Sequence, residues 1–197
     1  MKIVILSGTP GTGKTSVSKN ISKHLNVKVI TLNELVINEN LIIDYDNDRE
    51  TSVVDDENLI LFVIDLIEKI RKENFDFLII EGHFSDMVPD KFIDYAIILR
   101  CDPDILYTRL KNRGYKKEKI IENLQSEILG NCVNFFKNKK IKSPLLEIDS
   151  TNLDIEVVTK IIIDIIVEEK NIENYVIGKV DWLEKLFQQN RIDQYFE

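Results

Sequence analysis

Apolar positions along this chain fall into two patterns: short unbroken runs, and longer stretches in which they recur every three or four residues. The first marks buried strands and the second marks helices lying on them. Ile3-Val4-Ile5-Leu6 opens the chain as a strand, and Phe77-Leu78-Ile79-Ile80 and Tyr95-Ala96-Ile97-Ile98-Leu99 are continuous runs that each stop at a polar residue. Runs without alternation are what a parallel sheet covered on both faces requires. Lys28-Val29-Ile30 and Leu145-Leu146-Glu147-Ile148 predict two more strands.

Helices are predicted between them. One spans Ser16 to Leu25, and a second runs from Asp56 to Arg71, where Leu59, Ile60, Val63, Leu66, Ile67 and Ile70 share a face and Asp55 or Asp56 is the cap. Asp102-Pro103 supplies a cap and a proline at the first helical position, opening a helix to about Arg113 that stops at Gly114. Further helices are predicted at roughly Lys117 to Phe136 and at Asp154 to about Glu169. The segment from Thr31 to Asp56 is polar, acidic and weakly periodic, and reads as a substrate-side flap. From about Asn171 to Glu197 the pattern is less regular, with an amphipathic stretch around Trp182, Leu183, Leu186 and Phe187. These aromatics anchor a tail on the body or bind a partner; anchoring fits the scarcity of large exposed apolar patches on monomers. Alternating strands and helices predict an α/β fold with a parallel sheet flanked by helices, and no Pro/Gly/Ser-rich linker divides residues 1–197 into more than one domain.

Composition narrows the function. Lysine and arginine number 26 against 34 acidic residues, a formal net charge of −8, which argues against strong direct binding to nucleic acid and suits a basic protein partner. Cys101 and Cys132 have no metal-type pairing with either histidine, so buried, reduced thiols are expected and a zinc site is not. Met1-Lys2 leads directly into the first strand and no apolar run approaches membrane-spanning length, so a soluble, cytoplasmic protein is expected.

The chemistry is concentrated just after the first strand. Gly8-Thr9-Pro10-Gly11-Thr12-Gly13-Lys14-Thr15 fits G-x-x-x-x-G-K-[ST], preceded by a strand and followed by a helix. Its glycines let backbone N–H groups turn inward as an anion nest, and the helix behind it presents its positive end to phosphates. Lys14 is expected at the β- and γ-phosphates of a nucleotide, the Thr15 hydroxyl at Mg²⁺, and Ser16 as an additional donor. Glu81-Gly82-His83 follows a buried strand, where open α/β sheets place ligand groups. There Glu81 can hold a Mg²⁺-bound water, and His83 either orients a nucleophilic water or acceptor phosphate or is an ordinary loop histidine. Arg109 and Arg113, four apart on one helix, read as a phosphate clamp or as a solvated face making surface ion pairs. Asn138-Lys139-Lys140-Ile141 lacks the acid of a guanine-reading N-K-x-D box.

Taken together, Gly8 to Ser16, Glu81-Gly82-His83, the run from Leu99 to Tyr115 with its Arg-Leu-x-x-Arg-Gly-Tyr element, and Glu122-Asn123-Leu124-Gln125-Ser126-Glu127-Ile128 closely resemble adenylate kinase isoenzyme 6, an archaeal and eukaryotic nucleoside monophosphate kinase family linked to small-subunit ribosome assembly. The likeness extends to about Leu146. It implies a compact P-loop NTPase fold of the nucleoside monophosphate kinase type with a short lid, reversible phosphoryl transfer from ATP to AMP with Mg²⁺, ATPase activity, and action with a basic small-subunit ribosomal protein in rRNA maturation. Carried over by motif, Gly11, Gly13, Lys14, Thr15 and Ser16 bind ATP, Thr31 to about Val54 is the monophosphate flap, and Asn112 to about Glu122 is the lid, with Arg113 on ATP. The chain departs from eukaryotic members at Glu81, where many have aspartate, and at Val36-Ile37, in place of an alanine-arginine pair. The second departure leaves Arg49 as the candidate arginine for the monophosphate. The phosphate-loop motif alone also permits a kinase acting on a small metabolite.

Overall fold

The computed structural model describes residues 1–39, 41–46 and 51–196. Its centre is a five-stranded, wholly parallel sheet in the order β2-β5-β1-β6-β7, made of β1 (Lys2–Ser7), β2 (Val27–Thr31), β5 (Phe77–Glu81), β6 (Tyr95–Arg100) and β7 (Leu145–Asp149). A separate antiparallel pair, β3 (Ile42–Asp46) and β4 (Thr51–Val54), lies between the second and third helices.

Strand periodicity sorts the buried side chains onto two faces. Ile3, Ile5, Leu78, Ile80, Ala96 and Ile98 point to one face, where they pack with Leu32 and Val36 of α2 (Leu32–Asn38), Leu59, Val63 and Ile67 of α3 (Asp56–Ile70), and Val133 and Phe136 of α6 (Asn131–Lys139). Val4, Leu6, Ile79, Ile97 and Leu99 point to the other, against Val17 and Ile21 of α1 (Lys14–Ile21) and Val158, Ile162, Ile165 and Ile166 of α7 (Ile155–Glu168). Each fully buried isoleucine or leucine in these layers stabilises the fold by roughly 1.5–3 kcal/mol. Asn20 fastens the two helices of the second layer by donating to Glu156 Oε2 at 2.9 Å and to Thr159 Oγ1 at 3.1 Å.

A third apolar cluster stands beside the sheet. Leu106 and Leu110 of α4 (Pro103–Asn112) and Ile120, Leu124 and Ile128 of α5 (Lys117–Ile128) enclose Trp182 and Leu186 of α8 (Trp182–Gln188) and Tyr195 of α9 (Asp193–Phe196). The carboxyl-terminal segment is therefore packed on the body, as its amphipathic stretch suggests, although Leu183 and Phe187 of that stretch face solvent. Polar contacts reinforce the docking: Tyr195 Oη donates to Asp104 Oδ1 at 2.6 Å, Arg191 Nη2 to the same oxygen at 2.7 Å, and Gln125 Nε2 to the Tyr195 carbonyl at 2.7 Å.

Several element boundaries differ from the sequence expectations. The first helix begins at Lys14, inside the phosphate-loop motif, and ends at Ile21 rather than Leu25. The single helix expected from Lys117 to Phe136 is two, because Gly130 takes φ 65° and ψ 32°, a left-handed conformation that ends α5 and starts α6. Within Thr31 to Asp56, α2 and the β3–β4 pair supply regular structure that the weak periodicity does not reveal. Other local signals hold: Asp55 caps α3 by accepting from Asn58 N, and Asp102 caps α4 by accepting from Asp104 N with Pro103 at the first helical position.

Candidate active site

All five strands of the main sheet run the same way, so their carboxyl ends form one edge, and β1 lies at its centre. The loop leaving β1 is the phosphate-loop motif. Gly8 has φ 140°, and a Cβ there would stand 2.4 Å from the Leu99 carbonyl oxygen, so only glycine lets this turn lie against β6. Gly13 has φ 107° and immediately precedes α1. The first turn of that helix carries Lys14, Thr15 and Ser16.

Two clefts meet at this loop. The first, about 190 Å³, is lined by Pro10, Gly11, Gly13, Lys14, Thr15, Ser16, Thr31, Asn33, Glu81, Gly82, Arg113 and Tyr115. The second, about 240 Å³, is bounded by Gly11, Thr12, Gly13, Ser16, Val17, Arg109, Arg113, Ser150, Leu153, Ile155 and Val158. Arg113, at the end of α4, borders both. Arg109 borders only the second, where its guanidinium points at the carbonyls of Gly11, Ser150 and Thr151 at 3.3–3.4 Å. Both arginines therefore border the second cleft, and of the two Arg113 also reaches the first.

Lys14 Nζ donates to the Gly8 carbonyl at 2.7 Å and to the Thr9 carbonyl at 3.2 Å. Loss of water around the amine draws Lys14 below the usual lysine range, with Cys132, Glu81 and Glu127 pulling in the opposite direction. An ammonium held this way by the Gly8 and Thr9 carbonyl dipoles is suited to receive an anion. Glu81, at the end of β5, is 1 % exposed, and its Oε1 accepts from Thr15 Oγ1 at 2.9 Å and from Thr31 Oγ1 at 3.0 Å. A buried carboxylate beside a threonine hydroxyl is a hard-oxygen set of the kind magnesium takes, using one or two protein groups and completing its shell with water and phosphate. Among the described residues no cluster of three or more His, Cys, Asp or Glu forms a metal cage, which such a shared site does not need.

Of the candidates, Glu81, Lys14, Thr15, Ser16, Gly11, Gly13 and Arg113 line the first cleft together. His83 begins a 3₁₀ turn (His83–Met87) immediately past Glu81, but its side chain lies outside the described set, as does Arg49 altogether. The cleft linings add residues not singled out from the sequence: Thr31 and Asn33 within the expected flap, Tyr115 within the expected lid, and Ser150, which no motif marked. Thr31 and Ser150 end or follow strands, so the rule that led to Glu81 applies to them equally. Cys101 and Cys132 are buried and free, and burial pushes the Cys101 thiol up to about 12.

A phosphate loop at the central strand of a five-stranded parallel sheet, with a carboxylate at the end of the neighbouring strand, defines a P-loop kinase-like nucleotide-binding protein. A family model described as an AAA domain matches residues 4–130. The chain is also similar along nearly its whole length to archaeal proteins carrying the name "Putative adenylate kinase". That of Methanocaldococcus jannaschii is 39% identical over 93% of this chain and 94% of its own, and that of Archaeoglobus fulgidus 34% identical over 98% and 97%. The chain belongs to this adenylate kinase-like family of P-loop proteins. Solved structures show the same fold: shikimate kinase from Bacteroides thetaiotaomicron (TM-score 0.53, 15% identity, 83% of this chain and 97% of that one) and deoxyadenosine kinase from M. mycoides (TM-score 0.53, 20% identity, 86% and 100%). Among the described residues no helix is long and apolar enough to cross a membrane.

Proposed function

We propose that the protein transfers the γ-phosphoryl group of ATP to AMP, forming two ADP. The observation that carries this reading is the meeting of Lys14, Thr15, Glu81 and Arg113 around one cleft of a chain whose relatives along nearly its whole length carry the name "Putative adenylate kinase". ATP lies with its polyphosphate on the amides of Gly11 and Gly13 and its base in the second cleft, beside Arg109 and Ser150. AMP enters the first cleft from the side of Thr31, Asn33 and Gly82. Lys14 exchanges the Gly8 and Thr9 carbonyls for the β- and γ-phosphate oxygens.

The Thr15 hydroxyl and Glu81, directly or through water, would hold magnesium, which would supply charge neutralisation at those oxygens. The bond from the γ-phosphorus to the β,γ-bridging oxygen breaks as one forms to an AMP phosphate oxygen, with charge spread over the equatorial oxygens of the transferred group and onto the leaving β-phosphate. Arg113 spreads that charge from the junction of the clefts, and His83 orients the acceptor phosphate. Arg49 holds the AMP phosphate on the flap side, and the short lid from Asn112 to about Glu122 closes over ATP. The test is ADP formation from ATP, measured with and without AMP and repeated with His83→Ala. The wild type is expected to require AMP; turnover that needs only water would exclude the transferase reading.

The net charge of −8 and the resemblance to adenylate kinase isoenzyme 6 favour a second role: ATP hydrolysis coupled to a basic small-subunit ribosomal protein during rRNA maturation. Stimulation of ATP turnover by that partner in the absence of AMP is its expected signature.

A further inference from the structure

Behind the phosphate loop lies a chain of buried ionic groups that phosphoryl transfer does not itself use. Glu127, on the last turn of α5, is 1 % exposed. Its Oε2 accepts from Thr9 Oγ1 at 2.5 Å, and its Oε1 accepts from Arg100 Nε at 2.9 Å, Cys101 N at 3.0 Å and Trp182 Nε1 at 3.1 Å. Arg100 is equally enclosed. It donates to Glu147 Oε2 at 3.0 Å, and Glu147 Oε1 accepts the main-chain N–H groups of Gly178, Lys179 and Val180 at 2.7–2.9 Å. Two carboxylates therefore share one guanidinium, and the surplus negative charge is met by backbone amides of the carboxyl-terminal segment.

Buried ion pairs are poor sources of net stability, because removing both charges from water costs about as much as their attraction returns. What this one fixes is the position of Thr9. The Thr9 carbonyl is a hydrogen-bond acceptor for Lys14 Nζ and also receives Thr12 N at 3.2 Å and Thr12 Oγ1 at 2.9 Å. Moving Thr9 moves the lysine's seat and the turn of the loop together.

We propose that Glu127 is a positioning residue for ATP binding: held by Arg100 and the Trp182 indole, it sets the phosphate loop through Thr9 and makes the Gly178–Trp182 segment a working part of the nucleotide site. This rests on the reading of that loop as the ATP site. The Glu-Asn-x-x-x-Glu element, whose last member is Glu127, thereby acquires a role in the nucleotide site.

Calorimetric titration of the full-length protein with MgATP tests it, with melting temperature as a check on folding. Thr9→Val removes only the hydroxyl and is expected to weaken ATP binding about tenfold, the size of effect typical of groups that orient a binding residue. Thr9→Ser, which keeps the donor, restores wild-type affinity. Trp182→Phe keeps the ring in its apolar cluster, removes the N–H, and weakens binding about two- to threefold. Wild-type affinity in both Thr9→Val and Trp182→Phe, or a Thr9→Ser as weak as Thr9→Val, overturns the proposal. Should Thr9→Val fail to fold, Trp182→Phe decides alone, with unchanged affinity overturning it. Because the titration contains no AMP, a wild type that binds ATP but makes no AMP-dependent ADP counts against the transferase reading only.

Discussion

The phosphate loop and the α2–β3–β4 region, the proposed acceptor side, are built in different ways. Around the phosphate loop, the contributors are ends of strands in the five-stranded sheet: Ser7, Glu81 and Arg100 are buried, and Ser150 just past β7 brings its hydroxyl within 3.0 Å of the Thr12 carbonyl. On the proposed acceptor side, α2 leads into β3 and β4, which among the described residues pair with each other and with no strand of the main sheet. Ile37 and Ile43 there are more than 60 % exposed, whereas α2 buries only Leu32 and Val36. A two-stranded ribbon is marginally stable by itself. The contrast suits the proposed transfer, with one substrate gripped by a fixed frame and the element over the other free to close on it.

The comparison breaks most sharply at Lys14. Lys14→Ala is expected to lower the initial rate of ADP formation on the order of 10²–10³-fold. Its melting temperature without nucleotide should stay level or rise, since a desolvated amine is removed. A large loss of stability would mean that the lysine supports the frame and not the phosphates. Glu81→Gln should raise the magnesium concentration needed for half-maximal rate by about 10- to 100-fold, read from a magnesium titration at saturating ATP. Arg113→Ala should reduce kcat by about 10- to 100-fold, the value of a hydrogen bond to a charged group, with Arg109→Ala acting on KM for ATP instead.

On the acceptor side, Arg49→Ala should raise KM for AMP about tenfold and leave that for ATP unchanged; equal effects on both would remove Arg49 from the site. The smallest expected effect is one of pH. Free Lys14 titrates below an ordinary lysine, and bound polyphosphate favours its charged form. ATP affinity should therefore be full below the free-enzyme value and decline as pH rises through it, starting at lower pH than an unperturbed lysine would allow. Calorimetry across the alkaline range checks the direction.

Much of the frame is legible in the sequence because its signals are local. The caps Asp55 and Asp102, the proline at 103 and the unbroken strand runs each act within a few residues. The phosphate loop is legible for the same reason. What escapes is set by distant partners. Arg100 meets Glu127 and Glu147 across 27 and 47 positions, and nothing near Arg100 distinguishes a buried guanidinium from a surface one. Gly130 reads as a tolerated helix glycine until α6 has to pack on the sheet. In the flap, exposure of one side of α2 and of Ile43 in β3 erases the apolar periodicity that would reveal them.

The chain contains one tryptophan, and its indole nitrogen lies a single hydrogen bond from the carboxylate that holds Thr9. If Glu127 couples the loop to Trp182 as proposed, the ultraviolet emission of unlabelled protein is expected to change when MgATP binds, with no dye and no engineered residue.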